Sequence, residues 1–88
     1  MLFGAVQSTL AAMGPVSMNV RPVDRSVHTV FRVALLFKDD LDVAIRPDGP
    51  TGDQSMLYIR SASRVGKSDL GVNRRRVKRF FQELESRL

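Results

Sequence analysis

Two apolar alternations of period two follow one another in VHTVFRVALLFKDDLDVAI, residues 27–45. In the first, Val27, Thr29, Phe31, Val33, Leu35 and Phe37 share one side, while His28 and Arg32 take the other. In the second, Leu41, Val43 and Ile45 alternate with Asp42, Ala44 and Arg46. The KDD between them reads as a tight turn. Strands with a single apolar side need a cover on that side alone, so whatever else the chain forms must supply it.

Two segments have the periodicity for that role. Leu2, Phe3, Val6, Leu10 and Met13 recur at three- and four-residue steps, and Gly14-Pro15 supplies a left-handed cap and a stop. At the other end, Phe80, Phe81, Leu84 and Leu88 lie within about 60° of Val77 on a helical wheel. Leu70 and Asn73 fall on the same side, which sets the start near Leu70, with Ser68 or Asp69 as N-cap and Gly71 in the first turn. Val16, Met18 and Val20 form a short strand whose following Pro22 suits a sheet edge. MLYIRSAS is a fourth strand, with Leu57 and Ile59 opposite Tyr58 and Arg60. The expected fold is α+β: a small antiparallel four-stranded sheet with an N-terminal and a C-terminal helix on one face, in the order α-β-β-β-β-α.

Eighty-eight residues suit a single domain, 1–88, that buries only about 60–65% of its unfolded surface. The apolar share of 43% suffices for a core. With no cysteine, neither a disulfide framework nor a thiolate metal site supports the fold. The opening MLFGAVQSTLAAM lacks a basic n-region, and no apolar run reaches the length of a membrane span, so the default expectation is a cytoplasmic protein. Charge is uneven: residues 1–59 hold five basic and six acidic side chains, a net of −1, while residues 60–88 hold nine and three, a net of +6. An anionic partner for the last third follows, either a small molecule or an acidic surface.

The segment RSASRVGKSDLGVNRRRVKRFF, residues 60–81, carries that excess. VGKS lacks the first glycine of a P-loop, since position 61 is Ser61. A general anion site remains: Arg60, Arg64 and Lys67 precede a helix start, and Gly66 and Gly71 allow close backbone approach. The competing reading is structural, with Asp39 and Asp40 pairing Arg60 and Arg64 and fixing how the last helix docks, and with Asn73 bonding loop backbone. Arg75 and Arg79 point away from the apolar stripe, with Lys78 and Arg76 on its flanks. Arg74/Lys78 and Arg75/Arg79 are like-charge pairs at i, i+4, each unfavourable by about 0.2–0.5 kcal/mol. Arg75, Lys78 and Arg79 therefore suit an acidic surface, membrane headgroups or nucleic acid, though no signature of sequence-specific nucleic-acid recognition is present. His28 is the sole histidine, and Asp39, Asp40 and Asp42 lack the spacing of a calcium loop, so neither a metal nor a cofactor is expected. The remaining catalytic option uses Asp39 or Asp40 as a base and Arg64 to stabilise an oxyanion.

FKDDLDVAI at 37–45 and IRSASRVGKSDLGVNRRRV at 59–77 resemble the bacterial and plastid family called domain of unknown function 1499. The detailed likeness covers 30–88, and the helix and strand of 2–23 fit more loosely. The resemblance brings no activity, substrate or cofactor. It implies one constellation of Asp39, Asp40, Arg60, Ser61, Ser63, Arg64, Gly66, Ser68, Asp69, Gly71, Asn73 and Arg76. Members of that family often carry a preceding signal, lipid anchor or membrane helix and are exported, membrane-anchored or plastid-located; this chain reads as N-terminally short. The functional expectation is a non-catalytic domain binding an anionic group through Arg60, Ser61, Ser63, Arg64, Gly66, Lys67, Ser68, Gly71, Asn73 and Arg76. Asp39, Asp40 and Asp69 are its structural ion-pair candidates. An uncovered sheet edge would also serve a homodimer.

Overall fold

A computed structural model of the chain describes residues 2–34, 37–49, 54–64 and 71–88. Helix α1 (Leu2–Ala12) is followed by strands β1 (Ser17–Arg21), β2 (Ser26–Ala34), β3 (Phe37–Asp48) and β4 (Gln54–Ser63), then by helix α2 (Val72–Glu85). The strands form one antiparallel sheet in the order β1-β2-β3-β4. The chain is thus α+β in the expected order. β1 lies at an edge, where Pro22 forfeits no ladder bond.

Period-two alternation decides what each side of the sheet does. Val27, Thr29 and Phe31 of β2 and Leu41, Val43 and Ile45 of β3 are buried on one side. There they meet Val6 and Leu10 of α1 and Phe80 and Leu84 of α2. Met18, Val20, Leu57, Ile59 and Val77 pack around this core. Thr29 is tolerated in it because its hydroxyl donates to the Leu41 carbonyl at 2.8 Å. Gly14, at φ 79°, ends α1 in the left-handed conformation, and its N–H bonds the Ala11 carbonyl.

Four local expectations change. Lys38, Asp39 and Asp40 are not a turn but part of β3, where Asp39 faces Phe31 and Asp40 faces Val30 across the ladder. A pair of aspartates resembles turn chemistry in sequence; here each carboxylate has an arginine partner that makes an extended backbone tolerable. Phe37 opens β3 instead of closing β2, and it is exposed. Helix α2 begins at Val72, with Gly71 as its N-cap at φ 79°, a left-handed conformation that glycine adopts without strain. The proposed caps Ser68 and Asp69, together with Gly66, Lys67 and Leu70, lie outside the described residues. On α2, Phe80 and Leu84 are buried, whereas Phe81 is 39% and Leu88 76% exposed. The core accepts a narrower stripe than the wheel allows, and Phe81 instead rests edge-on against Phe80, with ring centroids 5.5 Å apart.

Candidate functional site

The alternation that builds the core also divides the expected constellation. In IRSASR, Ser61 and Ser63 continue the side of Leu57 and Ile59, while Arg60 continues the side of Tyr58. Ser63 is the ladder partner of Asp39 and Ser61 that of Leu41, so both serines stand on the helix-covered face. Arg60 is the ladder partner of Asp42, which faces the other way. Two polar groups result, one on each face.

Under the helices, α2 is clasped to the sheet. Asn73 and Arg76 are one turn apart on the helix and reach down together. Asn73 Nδ2 donates to Ser63 Oγ at 2.9 Å, and Asn73 Oδ1 accepts from Ser61 Oγ. Arg76 Nη1 donates to Asp39 Oδ2 at 2.7 Å and to Asn73 Oδ1 at 3.4 Å. Arg76 Cζ lies 4.8 Å from the centroid of the Phe31 ring, so the guanidinium sits between an anion and an aromatic face. The pair is nearly dry, with side-chain exposures of 12% for Arg76 and 3% for Asp39. Ser61, Ser63, Asn73, Arg76 and Asp39 thus form a docking network. Asp39 pairs with Arg76, not with Arg60 or Arg64.

On the open face, His28 lies between two carboxylates. Its Nδ1 bonds Asp42 Oδ1, and its Nε2 is 3.2 Å from Asp40 Oδ1. Asp40 also accepts two bonds from Arg64, from Nε and from Nη2, each at 3.0 Å, in a bidentate pair. Arg60 Nη1 stands 3.8 Å from Asp42 Oδ2, a loose pair whose guanidinium is three-quarters exposed. The hydrogen bonds from Arg64 hold the Asp40 carboxyl below its ordinary value of 3.8. Burial opposes this, and the charges of Arg64, His28 and Arg60 reinforce it. Asp40 in turn raises Arg64 above its ordinary value.

A pH dependence follows. A carboxyl whose folded value is depressed adds stability that is fully present above its unfolded value near 3.8. That stability is lost as pH falls through the folded value. Asp40→Asn should therefore melt below the unsubstituted chain at pH 7, and the gap should narrow from about pH 4 downward. Thermal melts across that range measure it; a gap that stays constant into acid would show that the charge of Asp40 contributes nothing.

A third basic group lies on the helix side. Where the register between β2 and β3 shifts at Arg32/Ala34, a recess of about 320 Å³ opens beside the end of α1 and the first turns of α2. Arg32, Arg75, Arg76 and Arg79 line it, together with Met13 and Phe31. Alternation alone assigns Arg32 to the opposite side of β2, so its part here could not be read from the sequence. Arg74, Arg75, Lys78 and Arg79 are all exposed along α2. Among the described residues, no set of three or more His, Cys, Asp or Glu side chains is arranged to hold a metal ion. No helix among them is long and apolar enough to cross a membrane.

A family model described as "Protein of unknown function (DUF1499)" matches residues 2–84. The match takes in α1 and β1, which the sequence motifs alone relate only loosely to that family. Comparison with curated proteins and with solved structures gave no match.

Proposed function

We propose, from the premise that the chain belongs to the DUF1499 family, that it is a non-catalytic protein that binds an anionic group at the start of α2. The family carries no assigned activity, so the reading rests on charge and shape. One observation carries it: four arginines line a single recess, and only part of that charge is answered from within the fold. Asp39 neutralises Arg76, whereas no carboxylate among the described residues is in ion-pair range of Arg32 or Arg79. The cross-strand neighbour of Arg32 is Lys38, which adds further positive charge. Guanidinium groups held around a concave surface raise the local concentration of anions and bind phosphate or carboxylate oxygens in pairs.

Within the broader expected set, Arg60, Arg64, Ser61, Ser63 and Asn73 all have partners inside the fold, which moves the centre of binding to Arg32 and Arg79, with Arg75 and Arg76 lining the same recess. Gly71 enters as the N-cap of α2, next in the chain to Val72, which lines the recess. Gly66, Lys67 and Ser68, outside the described residues, belong to the reading by sequence alone. Catalysis is disfavoured because the two candidate bases, Asp39 and Asp40, are both engaged by arginines. A second reading is favoured by the exposed side of α2: Arg75, Lys78 and Arg79, with Phe81 beside them, would rest on an acidic membrane surface.

Thermal melts at low ionic strength test both. Inorganic pyrophosphate should raise the melting temperature, because a ligand bound only by the native state stabilises it. Added salt should reduce the rise, and Arg32→Glu with Arg79→Glu should abolish it. A rise that survives this double substitution, or none in the unsubstituted chain, overturns the recess. If pyrophosphate has no effect but the chain cosediments with phosphatidylglycerol vesicles, and Arg75→Glu with Lys78→Glu prevents it, the surface reading replaces it.

A further inference from the structure

We infer that the open face of the sheet holds a second site, a hollow that takes a small aromatic carboxylate. The register creates the hollow. One row across the four strands runs Arg21, Ser26, Ala44, Tyr58, with large side chains on the edge strands and small ones on the two central strands. The adjoining row, Asn19, His28, Asp42, Arg60, forms a polar wall. Three strand spacings of about 4.8 Å separate Arg21 from Tyr58, so a gap about one aromatic ring wide lies over Ser26 and Ala44. The resulting depression has a volume of about 360 Å³, at the small end of the range that organic ligands occupy, about 300–1,000 Å³.

Its chemistry narrows the occupant. Arg21 and Arg60 line the hollow against one carboxylate, Asp42, which His28 already engages. Arg60 holds Asp42 only loosely and is three-quarters exposed, so it can turn to an incoming anion at little cost. Tyr58 is 58% exposed and leaves aromatic surface bare in a hollow that two arginines also line. An inorganic anion would leave that ring and the apolar floor unused, whereas a ring bearing a carboxylate meets both. The site uses neither α2 nor its recess and stands apart from the reading above.

Benzoate, titrated into the full ¹⁵N-labelled chain, tests it. Saturable shifts should appear at the amides of Ser26, Ala44 and Tyr58 and leave those of α2 unmoved. Ala44→Leu should fill the hollow and abolish them. Arg60→Gln, at an exposed position that the fold tolerates, should weaken binding roughly tenfold or more, the loss expected for one charge-assisted hydrogen bond. Benzamide, which lacks the charge, should bind more weakly than benzoate. Absence of saturable shifts, or equal affinity in Arg60→Gln, overturns the proposal. So do shifts of the same amides that depend on protein concentration without benzoate, since they assign the face to a second copy of the chain. Pyrophosphate shifts confined to α2 would leave the recess standing even then.

Discussion

Asp39→Ala lowers the free energy of unfolding by about 3–5 kcal/mol, the loss expected when one partner of a buried ion pair is removed. The carboxylate is 3% exposed and Arg76 12%, so truncation leaves a guanidinium in a nearly dry site, beside Asn73 and the Phe31 ring and without its carboxylate. For a chain of this size each 1 kcal/mol shifts the melting temperature by about 4–8 °C, and total stability is commonly about 5–15 kcal/mol. Urea unfolding followed by circular dichroism should therefore find Asp39→Ala barely folded at 37 °C. Replacing both partners, with Asp39→Asn and Arg76→Met, should recover much of the loss, because the penalty comes from the orphaned charge rather than from the missing attraction. A cost below about 1 kcal/mol for Asp39→Ala would mean that water reaches the pair and that α2 is not docked through it.

Phe80→Ala should be of similar severity, about 3–5 kcal/mol, for a different reason. Phe80 is fully buried between the sheet and α1, and alanine leaves a cavity that surrounding side chains refill only in part. Phe81→Ala is the control. The residue is 39% exposed and its ring meets Phe80 edge-on, so the change should cost about 1 kcal/mol or less. Equal losses at the two positions, measured by the same urea titrations, would place both rings in the core and contradict the narrow stripe described for α2.

Most of the fold was legible because its signals are local. Val27, Thr29 and Phe31 and then Leu41, Val43 and Ile45 mark their buried side through a period that belongs to the extended backbone itself. Val6 and Leu10, like Phe80 and Leu84, do the same at the helical period. The mistaken turn at Asp39 and Asp40 has the same origin: with no partner in view, two adjacent carboxylates look like turn formers. The division of Arg60 from Ser61 and Ser63 could have been found by carrying the alternation of Leu57 and Ile59 four residues further. The position of Arg32 could not, since the register shift beside it is a property of the paired strands.

Order of elements, the apolar side of each strand and the concentration of positive charge in the last third were written in the chain, because each depends on neighbours a few residues away. Which arginine answers which aspartate was not. Arg64 meets Asp40 across 24 residues and Arg76 meets Asp39 across 37. Such partners are chosen only when strand register and the seating of α2 bring distant backbone segments together. Until then every cation in the basic segment is an equal candidate for every carboxylate. The sheet then separates them, placing one pair under the helices as a dry fastening and the other on the open face beside His28.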